Sequence, residues 1–394
     1  MYAGLLIMTP FIMLRHFLQD TIGMLSRLMI PLRDIQIPGV LVIAIAAVVA
    51  LAVTYRRQIT KLRVIAALTG LAMVWFAQQI ADYYFSHEFY DLQHNWHYIA
   101  YGLFAFMVFR DLRPRGVPLS VILFRTAVFA FACSIFDEFF QLHLSNRIFD
   151  LGDVGKDCWG SSVGIVMLAL GVPEARDWLK NWYKIRHPHV RDYVQSVPSV
   201  IVFSCAFSFM LLVYGSLLSE QEYWWIVLSA TAVTFVVFFA LLHFSQRKWL
   251  GWSMAAVGAL AIVALAISFV YYRDDGFVYH GHNLVVYNGI PVPFFDLLVS
   301  TDGLVRPVDK KHFFNMRDNQ FFLLRDPDIL LIGTGYSGVG GRGFKINYGS
   351  VFQYNHFKNK MMQVIIVDTK QACEMFNRLQ REGKRVLCVI HTTC

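Results

Sequence analysis

Six apolar runs, at 38–55, 62–81, 118–136, 199–218, 223–243 and 249–272, are each long enough, or nearly so, to cross a bilayer. Crossing about 30 Å of hydrocarbon takes about 20 residues of helix. Two shorter runs, 97–109 and 159–173, can span inside a bundle, which gives about eight transmembrane helices. The composition agrees: 56% of the residues are hydrophobic and 16% charged, where a soluble domain carries about 25% charged. Residues 1–36 hold apolar stretches broken by Arg15, Asp20, Arg27 and Arg33, a pattern of an amphipathic helix lying in the interface. No cationic start or small-residue cleavage site marks a signal peptide there.

The loops set the topology. Arg56, Arg57, Lys61 and Arg63 crowd 55–63, and Arg110, Arg113 and Arg115 crowd 110–117. Arg176, Lys180, Lys184, Arg186 and Arg191 lie in 174–198, and Arg247 and Lys248 in 244–248. The alternate loops, 82–96, 137–158 and 219–222, hold only Arg147 and Lys156, so the count is fourteen basic residues against two. Such a bias places the basic loops in the cytoplasm. It also accounts for the net charge of +8 without nucleic acid as a partner. The acid-rich segment 137–158 therefore faces outward, with Asp82, Glu88 and Asp91 of loop 82–96. Seven spans follow loop 55–63, an odd number, so residues 273–394 are expected outside the cytoplasm.

After residue 273 turn signals multiply (Asp274-Asp275-Gly276, Asn288-Gly289, Asp302-Gly303) and strand-like runs such as DILLIG and QVIIVDT appear. KQACEMFNRLQREGK reads as a helix with a glycine stop, and RVLCVI as a closing strand. The fold class is thus a polytopic all-α membrane bundle followed by a soluble α/β domain of about 120 residues, an ordinary size for one core. Along the chain this gives an amphipathic segment 1–36, a first transmembrane helix and basic loop 37–61, a membrane domain 62–173, three further spans in 174–272, and the domain 273–394.

Several motifs fail their context. Gly333, Gly335 and Gly338 spell G-x-G-x-x-G after a strand, but dinucleotide binding needs a helix to open there, and VGGRGFKINYGSVFQ has no helical period. The six cysteines (133, 158, 205, 373, 388 and 394) form no C-x-x-C pair. Cys388 and His391 point to opposite faces of an extended strand. Neither a cofactor nor a metal is expected.

The polar chemistry concentrates in DEFFQLHLSNRIFDLGDVGKDCWG, residues 137–160. Gln141 lies i+4 from Asp137 and i+3 from Glu138, so it neighbours both acids on a helix, and Arg147 can compensate the carboxylates as the chain turns. Asp150, Asp153 and Asp157 share a face if 150–157 is helical, against which Gly152 and Gly155 speak. DEFFQ followed by Arg147, Asp150, Asp153, Asp157, Gly160 and Gly164 resembles the DE..Q…R…D…N..G…G signature of VanZ-like membrane proteins. That family's upstream element, D-K-x-x-H-F-x-x-x-Y, aligns with QHNWHYIAY, where His97 and Tyr101 match and Gln93 and His94 replace the acid and the lysine. Asp157 stands where the family has asparagine. The resemblance covers about 62–173 and implies a bundle of about four membrane helices. It also implies a bacterial cell-envelope protein of the cytoplasmic (inner) membrane, and the founding member is tied to glycopeptide (teicoplanin) resistance.

The tail resembles the mitochondrial complex I assembly-factor-three family and its archaeal relatives. It does so through PDILLIGTG at 327–335, Asp368, Thr369, Ala372, Asn377, Leu379, Glu382, Gly383, Arg385 and Val386. That likeness implies a binding or assembly module with no established enzymatic activity. Asn377 and Arg385 would brace the helix against the last strand, and the glycine-rich stretch 336–349 is an addition to the pattern.

Two roles compete for His97, Tyr101, Asp137, Glu138, Gln141, Arg147, Asp150, Asp153 and Asp157. They can line an outward pocket for an envelope lipid or glycan, with a protein partner recruited through 273–394, or form a self-neutralised network joining helix ends. As a pocket they could also do acid–base chemistry on a lipid-linked substrate. Arg125, inside a span, either snorkels to the cytoplasmic face or belongs to a solute pathway.

Overall fold

The computed structural model describes residues 1–4, 23–25, 28–32, 35–81, 92–141, 149–182 and 187–392. It divides into a helical unit running to His243 and a second unit formed by Leu217–Glu220 and Phe244–Cys394. The interfacial segment 1–36, apart from a short hairpin of β1 (Met29–Leu32) and β2 (Ile35–Pro38), falls mostly outside the described residues. So do Asp82, Glu88, Asp91, Arg147 and Cys394.

The helical unit contains α1 (Gly39–Thr54), α2 (Lys61–Ala81), α3 (Leu92–Leu112), α4 (Leu119–Gln141), α5 (Leu151–Gly171), the short α6 (Ala175–Asn181), α7 (Val197–Leu217) and α8 (Trp224–Ser245). With α9 (Lys248–Tyr272) of the second unit, every apolar run becomes a helix. Among the described residues five are long and apolar enough to span: α2, α4, α7, α8 and α9. The α5–α6 pair, bent by 96°, adds a sixth if the two form one broken span. The expected eight is not reached on these grounds. α1 has 16 residues, and α3 carries Gln93, His94, Asn95 and His97 at one end and Arg110 and Asp111 at the other.

α5 is the hub of this unit, packing against α2, α3 and α4 with nearly its whole surface buried. Helices in lipid gain little from apolar burial and are held by close van der Waals packing, which favours small residues at the seams. A Cβ on Gly160 would stand 2.7 Å from Tyr98 Cα, and one on Gly155 would stand 2.7 Å from Leu212 Cα. Glycine there lets the backbones of α3 and α7 reach α5. These contacts explain why α5 starts eight residues before the apolar run at 159: tertiary packing overrides glycine's poor helix propensity. Asp150 caps the helix, accepting from Gly152 N at 2.7 Å.

The two ends of this unit differ in charge. Arg63 Nε donates to Gly171 O at 3.2 Å and Arg113 pairs with Glu174, so the start of α2, the end of α3 and the end of α5 meet. Tyr193, in the loop before α7, meets His243 near the end of α8 at 3.0 Å. The polar residues of α3, the end of α4 and the start of α5 lie at the other end, one helix length of about 30 Å away.

In the second unit α9 leads into two sheets. β3 (Phe277–Gly281), β4 (Leu284–Tyr287) and β5 (Ile290–Pro293) form an antiparallel three-stranded sheet. The larger sheet has the order β7-β6-β11-β8-β10-β9, with β6 (Asp296–Val299), β7 (Val305–Val308), β8 (Ile329–Gly333), β9 (Gly349–Asn355), β10 (Lys360–Val367) and β11 (Val386–Ile390). β8 runs parallel to both β10 and β11, so these three strands are buried on both faces and read as continuous apolar runs. α10 (Met316–Leu324) precedes β8, and α11 (Thr369–Arg381) crosses from β10 to β11. α11 is capped by Asp368, which accepts from Gln371 N at 2.9 Å. Its Phe376 and Leu379 join Leu297, Leu331, Val386 and Ile390 in the core. No helix opens after β8: residues 334–348 run through turns to β9, as the failed dinucleotide motif requires. Asn377 and Arg385 do not brace α11 against β11. Asn377 clamps β3, accepting from Phe277 N and donating to Phe277 O at 2.8 Å each. Arg385 bonds Asp326 at 3.0 Å, just before β8.

Candidate functional site

The helix ends gather the polar residues into two groups. The first is a brace between α4 and α5. Glu138, 1% exposed, accepts from Gln141 Nε2 at 2.8 Å with one oxygen and from the Asp150 amide at 3.0 Å with the other. Asp150 in turn caps α5. Glu138 and Asp150 each satisfy one backbone N–H at the start of α5 that lipid would leave unpaired. Gln141 bonds Glu138.

The second group joins α3 to α5 around His97. Its Nδ1 lies 2.9 Å from Asp157 Oδ1, and Ser134 of α4 donates to Asp157 Oδ2 at 2.6 Å. On the other side His97 Nε2 faces Asp153 Oδ1 at 3.7 Å, and Lys156 Nζ donates to that carboxylate at 2.7 Å. Asp153 and Asp157 share a face of α5 at i, i+4, as expected if 150–157 is helical. The side chains of His97 (24% exposed), Asp153 (25%) and Lys156 (17%) form an accessible edge, while Asp157 behind them is 2% exposed. Tyr101 is buried one helical turn farther along α3, in contact with Phe104.

Eight of the nine expected residues are therefore brought to one end of the helical unit, and the ninth, Arg147, lies outside the described residues. The sequence reading did not include Ser134, although it stands four residues before Glu138 on the α4 face. Lys156 was seen only as a charge, although it is the cation directly on Asp153. Among the described residues the group holds five carboxylates (Asp137, Glu138, Asp150, Asp153 and Asp157) against Lys156 and His97. Ser134 bonds the carboxylate rather than a ring nitrogen, so the trio lacks the hydroxyl–imidazole bond of a serine nucleophile. Arg125 is exposed on the outer face of α4, six residues from its start, within snorkelling distance of that end of the helix.

The second unit holds a buried charge network that the sequence reading missed. Asp296 bonds His391 Nδ1 at 2.6 Å, the Thr392 amide at 2.9 Å and Lys310 Nζ at 3.4 Å. Burial would raise the Asp296 carboxyl, but His391, Lys310 and the Thr392 amide outweigh it and hold it below its ordinary value. The signal was one acid inside the apolar strand DLLV.

Residues 39–172 match the family model VanZ/LLP1. Residues 270–391 match a model described as protein of unknown function (DUF498/DUF598). Both matches fall where the two resemblances lie, and the first also takes in α1. No curated protein matches the chain. A solved structure described as "MT938" matches at 22% identity, over 30% of this chain and 98% of that one, with a TM-score of 0.24.

Proposed function

We propose that this chain, whose first part is VanZ-like and whose last part is a DUF498/DUF598 domain, is a multi-pass protein of the bacterial cytoplasmic membrane. In this reading it has about eight spans and binds an envelope component at the outer ends of α3, α4 and α5. The ligand carries a cationic group and is a lipid headgroup or a lipid-linked glycan precursor. One observation carries the reading: an accessible edge of His97, Asp153 and Lys156 backed by buried carboxylates, at the end of the helices away from Arg63 and Arg113. The groups of this edge bond one another, as Glu138 and Gln141 do, but unlike the buried Glu138 they keep surface that a ligand can reach. The excess of carboxylates favours a cation, and low-dielectric surroundings strengthen that preference.

In this reading the protein lowers access of glycopeptide antibiotics to their target, and the tail domain, outside the cytoplasm, recruits a partner protein. The test is growth of a glycopeptide-susceptible bacterium expressing the full chain, with Asp153→Asn and His97→Gln beside the parent. Protection by the parent and its loss in both variants at unchanged membrane abundance supports the reading. Equal growth of all strains with and without the gene ends it.

An enzymatic role has one observation in its favour. His97 lies between two carboxylates, an arrangement able to move a proton. Turnover of a lipid-linked substrate by the purified chain, lost in His97→Gln, would move the reading to that class. The transport reading has no such support, because Arg125 lies on the outer surface of α4 rather than among the cluster.

A further inference from the structure

A cavity of about 260 Å³ opens in the second unit, lined by Arg273, Asp274, Asp275, Asn288, Asn377, Gln380 and Arg381. Its floor is fixed. Asn288 Oδ1 accepts from Gly276 N at 2.9 Å and Asn377 holds both backbone groups of Phe277. Its mouth carries two arginines and two aspartates, all exposed, of which Arg273 and Asp274 are 3.1 Å apart.

The place of this cavity decides what it meets. α9 has 25 residues, about 37 Å of helix against about 30 Å of hydrocarbon, so its ends reach the headgroups. Exposed Trp249 and Trp252 near its start, with exposed Tyr271 and half-buried Tyr272 at its end, form the aromatic belts of a span. The β4–β5 turn is pressed on the last turn of α9: Ser268 Oγ donates to Gly289 O at 2.7 Å. A Cβ on Gly289 would stand 2.3 Å from Ser268 O. The small sheet and α11 are thereby held at the exit of the helix, and Arg273 is the first residue past the belt.

We propose that this cavity seats the headgroup of a zwitterionic, amine-bearing phospholipid. Arg273 and Arg381 take the phosphate, for which guanidinium geometry is suited, and Asp274 and Asp275 take the ammonium. The formal charges of the mouth cancel, which matches a headgroup carrying one of each sign and not a purely anionic one. The site is separate from the His97 cluster and stands without the reading of that cluster.

The experiment is native mass spectrometry of the full chain in detergent, after exchange with equal amounts of phosphatidylethanolamine and phosphatidylglycerol distinguished by deuterated chains. The parent retains one phosphatidylethanolamine, at least about tenfold over phosphatidylglycerol. R273Q/R381Q loses about tenfold or more of that retention, through the loss of charge-assisted bonds to the phosphate. D274N/D275N shifts the preference to phosphatidylglycerol. Soluble glycerophosphoethanolamine at the same concentration separates the sources: retention equal to that of the lipid assigns the cavity to a free phosphate ester and overturns the proposal. So does equal lipid retention by the parent and R273Q/R381Q, or a parent that prefers phosphatidylglycerol. Should the double variant unfold at lower temperature, R381Q alone, at an exposed position on α11, decides with the same readout.

Discussion

His97 Nδ1 and Asp157 Oδ1 meet at 2.9 Å across the seam between α3 and α5, next to Gly160, where the two backbones come together. The ring is held by Asp157 on one side and faces Asp153 on the other, so its orientation is fixed before any ligand arrives. Removing a buried partner of a charge-assisted pair costs about 3–5 kcal/mol, while an isosteric amide keeps most of the bonding. Asp157→Ala should therefore strongly lower the unfolding midpoint of the detergent-solubilised protein. Asp157→Asn, the residue the VanZ-like signature carries at this place, should cost less than half as much. Equal losses in the two variants would show that the carboxylate charge, and not shape or neutral hydrogen bonding, holds the seam.

Glu138 separates brace from site. It spends both oxygens on Gln141 and the Asp150 amide, so Glu138→Ala orphans a helix-end N–H at a cost of about 1–3 kcal/mol. The expected outcome is reduced abundance in the membrane, measured by quantitative immunoblot, with ligand protection lost only in proportion. Asp153→Asn should do the reverse, keeping abundance and losing protection. If Glu138→Ala instead leaves abundance untouched and abolishes protection, Glu138 belongs to the site.

How far the sequence carried depends on the distance over which each interaction acts. Asp153 and Asp157 could be placed on one face because helical spacing is local, and the basic loops could be counted because their sorting is a property of the chain. The start of α5 was hidden because Gly152 and Gly155 argue against a helix, and only contact with Leu211 and Leu212 on α7 reverses that. Ser134 was hidden because a hydroxyl in an apolar helix reads as packing until the carboxylate 23 residues later is seen beside it. Asp296 at the start of β6 and His391 just past the end of β11 lie 95 residues apart, a pairing that only the register of β6 with β11 reveals. Asn377 likewise finds β3 at a separation of 100 residues.

The tail domain should weaken in acid. The Asp296 carboxyl is held below its ordinary value in the folded state, and an unfolded aspartate titrates near about 3.9. Above that pH both states are ionised and the stabilisation is complete. As the pH falls below about 4 the unfolded chain takes up the proton first, so stability is lost through the folded-state value. Hydrogen exchange of β6 and β11 amides, corrected for intrinsic rates, should show protection falling over that interval. Asp296→Asn should lower protection at neutral pH and flatten the dependence. A parent whose β6 and β11 protection is constant from pH 6 to pH 3 would contradict this account.

Sidedness is the prediction on which the envelope reading turns. Arg115 follows α3 at the basic end of the helical unit, close in sequence to Arg113 and its partner Glu174, and is exposed. Asp302 lies in an exposed turn of the tail between β6 and β7. The native thiols at 133, 158, 373 and 388 are buried, so cysteines introduced at Arg115 and Asp302 can report against a low background once Cys205 and Cys394 are replaced by serine. In the proposed topology the charge bias of fourteen to two and seven spans after residue 63 would put these positions on opposite faces. A membrane-impermeant maleimide should then label Asp302→Cys on intact cells and Arg115→Cys only after permeabilisation. Labelling of Arg115→Cys alone on intact cells would turn the protein over and direct the His97 edge to the cytoplasm. Labelling of neither would put the tail domain on the same side as the basic loops, which requires an even number of spans after residue 63.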